Sequence, residues 1–151
     1  MDYLHSLALV FHSVVRYFVL LAMLISIFRS AKGWFGGAPF EKVDEKLSVW
    51  LLIMAHTQLI LGLILYSVSP AVVFSGASMK DPVARYWLVE HLTTMLIAIT
   101  LITLSRITTK KLTDAKAKHK RIFLYNVFAL LLILMAISMS GRGFFSLPSI
   151  L

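Results

Sequence analysis

Three features point to an all-α membrane protein, a four-transmembrane-helix up-down-up-down bundle. Four apolar runs are each long enough for a bilayer, which takes about 20 residues. The segments between the runs are short, as antiparallel neighbours in a bundle require. The basic residues fall almost entirely on alternate connections. Composition agrees: 59% of the 151 residues are hydrophobic, against roughly 45–50% in soluble domains.

The first run, "LHSLALVFHSVVRYFVLLAMLISIF", covers 4–28. It has Asp2 before it instead of a basic stretch and is too long for the apolar core of a signal peptide, so it reads as a retained helix. The second, "LSVWLLIMAHTQLILGLILYS", covers 47–67. The third covers about 84–105 and follows Asp81 and Pro82, a cap and first-turn proline that open a helix. The fourth, "IFLYNVFALLLILMAISMS", covers 122–140. Residues 1–151 thus read as a single transmembrane domain.

The net charge of +8 would suggest nucleic acid in a soluble protein. Here the charge lies between apolar runs, which reads as topology and contact with anionic lipid instead. The connections at 29–46 and 106–121 hold eleven of the fifteen basic residues. The positive-inside rule places both connections in the cytoplasm and both termini on the periplasmic side of a bacterial inner membrane. The outer connection "SPAVVFSGASMKD" is mildly apolar and suits the outer surface or the cover of a site. The tail "GRGFFSLPSIL" is expected to fold back along that surface. Without cysteine there is no disulfide, thiolate metal site or covalent haem attachment.

Ionisable groups inside a span are costly and are functional candidates by default. His12, His56 and His91 lie within the first three spans, with Arg16 one turn from His12 and Glu90 beside His91. His5 and His119 read as interfacial or solvated. Taking span centres near residues 17, 57 and 95, with about 1.5 Å of rise per residue, His12 and His91 lie roughly 6–8 Å to the outer side of the midplane. His56 lies close to it. Helices 1 and 3 of a sequential bundle are diagonal, so His12 and His91 can face each other across a central space. A flat cofactor with two axial ligands needs that arrangement.

The candidate cofactor is one haem b, for which imidazole is a standard axial ligand. His12 with His91 is the favoured pair and His56 with His91 the second. The anionic propionates would meet Arg85, Tyr86 and Trp87 at the outer side, or Arg16. A quinone is the natural redox partner, and His56, Glu90 and Tyr66 are candidates to take its protons. Glu90 would orient or charge-balance His91, or pass a proton. A three-histidine metal site is disfavoured because the depths do not converge. A competing reading makes Arg16, Glu90 and the histidines pin helices together, at on the order of 1 kcal/mol per bond.

On helix 3, Ala84, His91, Ala98 and Ser105 recur every seven residues and share a face. On helix 2, Gln58, Gly62 and Tyr66 share another. The fourth helix offers Asn126 and small residues such as Ala129 and Ala136, and reads as packing.

The elements "HSVVRY" (12–17), "AHTQLILGLILY" (55–66) and "RYWLVEHLTTM" (85–95) resemble those of small bacterial four-helix membrane proteins of a cytochrome b-like type. The resemblance covers most of the chain. It implies a haem b electron carrier that exchanges electrons with quinone, with His12, His56 and His91 as candidate iron ligands. Two-haem bundle cytochromes carry four histidines, whereas the fourth span here has none. The alternative expectation is a non-catalytic accessory subunit of a larger membrane complex, respiratory or secretory. Partner membrane subunits or a homo-oligomer fit either reading.

Overall fold

The computed structural model describes residues 2–141; the expectation for the tail falls on residues outside these from Arg142 onward. Four long helices and no strand occur among the described residues. We label them α1 (Asp2–Gly36), α2 (Lys42–Val68), α3 (Pro82–Lys110) and α4 (Ala115–Met139). All four are long and apolar enough to cross a membrane.

Neighbours in sequence are neighbours in space, and α4 closes the ring against α1. Helices α1 and α3 are therefore diagonal. The α2–α3 pair is the least closely packed side of the ring. The outward faces carry large apolar side chains such as Phe18, Leu21, Ile60 and Leu131, each more than half exposed. Such faces suit hydrocarbon. The inward faces use small residues, among them Ala55, Ala98 and Ala129, which let membrane helices approach closely. Met23 fills the space among them and is fully buried.

Each helix continues past its apolar run at the basic end. Helix α1, about 52 Å long at 1.5 Å per residue, ends only at Gly36. Gly37 follows with φ +70, the left-handed conformation in which glycine commonly closes a helix. Helix α2 starts at a capping box. The Glu41 backbone N–H donates to Asp44 Oδ2 at 2.9 Å, while Arg29 Nε donates to Asp44 Oδ1 at 2.6 Å. Cap and interhelical ion pair thus share one carboxylate. Helix α3 opens at Asp81 and Pro82, with Asp81 Oδ1 accepting from the Ala84 N–H at 2.7 Å. Helix α4 opens at Asp114, which accepts from the Ala117 N–H at 2.7 Å.

The tract expected to be a basic loop at 106–121 is therefore mostly helix, with only residues 111–114 between α3 and α4. The cap at Asp114 and the helix-favouring Ala and Lys after it account for the difference. His119, expected to be solvated, becomes a core residue for the same reason. It falls on the buried stripe with Ile122, Asn126, Ala129 and Ile133 and is 1% exposed. Its ring lies against Gly33, where a Cβ would overlap it. Its Nε2 is 3.3 Å from the Pro39 carbonyl oxygen.

Candidate functional site

A cavity opens within the half of the bundle away from the basic helix ends. Its volume is about 160 Å³, and it is partly open to the outside. All four helices contribute to the wall, as do Ser69, Ala71 and Val72 of the connection between α2 and α3. That connection is therefore part of the wall as well as a link. It is organised by a short 3₁₀ turn at Gly76–Met79 and by the Ser78 hydroxyl, which donates to the Val73 carbonyl at 2.8 Å.

His12, Arg16 and His91 line this one cavity. The diagonal placement of α1 and α3 gives the two imidazoles opposite sides of the space. On α1, His12 rests against α2 at Gly62, where a Cβ would stand 3.3 Å from His12 Cε1. Gly62 thus leaves room for the ring. Gln58 Nε2 donates to the His12 backbone carbonyl at 2.9 Å and ties α2 to α1 at the same depth. Arg16 donates to the Tyr17 hydroxyl at 3.1 Å, and its guanidinium carbon is 4.9 Å from the Tyr17 ring centre.

His91 owes its position to an irregularity. Residues Tyr86–Glu90 form a π-turn inside α3, and the His91 N–H donates to the Tyr86 carbonyl five residues back. In a regular α-helix, residues five apart point about 140° from one another at 3.6 residues per turn. The wider turn brings Tyr86 and His91 to the same side. The Tyr86 hydroxyl and His91 Nδ1 stand 3.1 Å apart. The same hydroxyl donates to the Ala136 carbonyl of α4 at 2.5 Å. From the other side, the Tyr66 hydroxyl of α2 donates to the Leu88 carbonyl at 2.9 Å. The π-turn is thus tethered to both neighbours of α3. Because Tyr86 engages Nδ1, the arrangement makes Nε2 the ring nitrogen suited to ligation.

The other sequence candidates fall elsewhere. His56 is on the exposed face of α2, and its Nδ1 is 2.9 Å from the Leu52 carbonyl of its own helix. It does not line the cavity. The sequence held the reason: His56 lies two residues before Gln58, about 200° round the helix from the Gln58–Gly62–Tyr66 face. Glu90 and Arg85 form an ion pair of 2.6 Å beside the cavity without lining it. Arg85 also points Nη1 at the Met79 carbonyl, 3.5 Å away. The competing reading, in which Arg16, Glu90 and the histidines pin helices together, does not hold for Glu90, whose ion pair is with Arg85 of its own helix. His5, set aside as interfacial or solvated, also lines the cavity, as do Gln58, Tyr66, Tyr86 and Trp87. For His5 the signal was its helical spacing of seven from His12.

The site offers the imidazoles of His12 and His91 from opposed helices, that of His5 farther along α1, the phenols of Tyr66 and Tyr86, the Arg16 guanidinium and otherwise mainly apolar walls. Among the described residues, no three of His, Cys, Asp and Glu gather where they could hold a metal ion. Two imidazoles are nonetheless of the chemistry that a haem takes from a protein. Comparison of the chain with protein-family models, curated proteins and solved structures finds no match.

Proposed function

We propose that this chain is a b-type cytochrome-like electron carrier of the bacterial inner membrane, in which His12 and His91 would hold one haem b. The observation that carries the reading is the convergence of these two histidines, from diagonal helices, on one cavity inside the membrane-spanning part of the bundle. When bound, haem supplies reversible one-electron chemistry at iron. The protein's part is to present the imidazoles and fix their orientation. Tyr86 orients His91 through Nδ1, which also raises its basicity as a ligand. Gly62 provides the clearance His12 needs. Arg16 offers positive charge toward propionates. The pair Arg85–Glu90 neutralises itself and stiffens the turn before His91.

Quinone is the redox partner proposed for this carrier. The cavity is bordered by α2 and α3, the least closely packed side of the ring, and Tyr66 and Gln58 supply polar contacts there. The basic helix ends support a cytoplasmic location for the connections at 37–41 and 111–114 and a periplasmic one for both termini.

A second reading is a non-catalytic accessory subunit of a respiratory or secretion complex. The short connections support it, since they leave little mass outside the bilayer. The visible spectrum of detergent-purified protein, oxidised and then reduced with dithionite, separates the two. The carrier is expected to show a sharp Soret band, α and β bands on reduction, and a haem-to-protein ratio near one. Colourless protein from haem-replete cells would overturn the carrier and leave the subunit.

A further inference from the structure

At the basic end of the bundle the inward faces of all four helices are polar. Ser26 and Ser30 stand one turn apart on α1, Asp44 and Ser48 on α2, and Ser105 and Thr109 on α3. His119 and Asn126 stand two turns apart on α4. These eight residues are between 1% and 7% exposed. Asn126 Nδ2 donates to Ser26 Oγ at 3.1 Å, which joins α4 to α1 within the group. Four of its atoms have no hydrogen-bond partner in the protein: Ser105 Oγ, Thr109 Oγ1, His119 Nδ1 and Asn126 Oδ1. Buried polar groups left unmet by protein are met by internal water, which bridges two to four of them.

The group has an entrance and an end. A cleft of about 200 Å³ opens at the basic end between Arg29, Lys32, Glu41, Asp44 and His119. Asp44 and His119 belong to both cleft and core. In the other direction, three residues beyond Ser26, Ser48, Ser105 and Asn126, lie Met23, Leu51, Ile102 and Ala129. These four are at most 2% exposed. One turn past Met23, Leu51 and Ala129 come Val19, Ala55 and Ile133, which with Ile102 line the outer cavity. A single tight apolar layer therefore separates the polar core from that cavity.

We propose that this core holds a chain of water forming a proton inlet, open to the basic end and stopped by the layer at Met23. Water suits the donor set better than a metal cation does. Hydroxyls, an amide and an imidazole can both give and accept hydrogen bonds. The one carboxylate, Asp44, is already paired with Arg29. Intramembrane chains of polar and ionisable groups mark proton routes, and an apolar constriction closes such a route by staying dry. The use of the inlet, to exchange protons with a redox reaction in the cavity, rests on the electron-carrier reading. The water chain does not.

The test is proton entry into liposomes that contain the purified protein and a pH-sensitive dye, driven by a valinomycin-clamped potassium gradient. Wild type should remain at the lipid baseline. Met23→Ser should extend the polar chain into the cavity and raise proton flux at least tenfold, whereas Met23→Leu should not. Adding Ser105→Ala and Asn126→Leu to Met23→Ser should restore the baseline. Folded Met23→Ser protein at baseline, or a leak that survives the added substitutions, would overturn the inlet. A second measurement covers misfolding of these variants. The chain has no cysteine, so Ser105→Cys and Leu51→Cys each carry one thiol, and methyl methanethiosulfonate reacts only where the thiol ionises in water. Cysteine at 105 should be modified at least tenfold faster than cysteine at 51. Equal rates would overturn the proposal. Neither readout uses haem, so colourless protein leaves the inlet standing, and a tight Met23→Ser variant leaves the carrier standing.

Discussion

His91 and His56 have the same chemistry and opposite surroundings. The first faces a cavity with its Nδ1 beside Tyr86, and the second faces outward against its own helix. His12→Ala and His91→Ala are each expected to abolish haem binding, while His56→Ala keeps the haem-to-protein ratio of wild type. Haem content after pyridine extraction measures this, and loss of haem on replacing His56 would reverse the assignment. Depth, which is all a span centre provides, ranked His56 below His12 as the partner of His91 but kept it among the candidate ligands. Helix phase separates them, and the spacing of Gln58, Gly62 and Tyr66 already carried it. His119 is the converse case, a histidine among lysines that packs against Gly33. Gly33→Ala forces a methyl group into that ring. It should destabilise the bundle by about 1–3 kcal/mol, as overpacking does. A lowered thermal midpoint in detergent would register this, and an unchanged midpoint would contradict the tight contact.

The third helix shows how an element can be predicted correctly and still hide its function. Its apolar run and its Asp-Pro opening were legible, because length and capping are local properties. The π-turn at Tyr86–Glu90 was not, because one additional residue in a helix leaves no mark in composition. What stabilises it is non-local: Tyr66 bonds Leu88 from α2, and Tyr86 bonds Ala136 of α4. Deleting Val89 removes the additional residue and returns α3 to regular spacing. The variant should keep its helical circular dichroism and its haem, since Tyr86 and His91, then four residues apart in a regular helix, still share a side. Loss of haem would show that the π-turn itself, beyond the shared side, is needed to place His91. The start of α4 depends on a simpler device. Asp114→Ala removes the cap on Ala117 and should cost about 1 kcal/mol, read as a lower unfolding midpoint. The same cap explains how a basic tract that reads as loop becomes two turns of helix.

The bundle as an assembly has two polar regions of different character, divided by an apolar layer at Met23. The outer one holds the imidazoles, and the inner one holds hydroxyls, Asn126 and His119. The proposed orientation of the pair across the membrane rests on the basic helix ends. With no native cysteine to interfere, Ala77→Cys should react with an impermeant maleimide from the periplasmic face, and Thr113→Cys only in inverted vesicles. The opposite pattern would invert the topology. Four spans and their order could be read from the chain because hydrocarbon imposes length and apolarity on every spanning segment. Loop charge then biases insertion. That His12, Arg16 and His91 lie in spans was equally plain. Which of the ionisable residues meet was settled only by packing: by the phase of each helix, by a π-turn held through bonds from its neighbours, and by a bundle whose sides close unequally. Those depend on contacts between residues far apart in the chain, and a linear pattern does not record them.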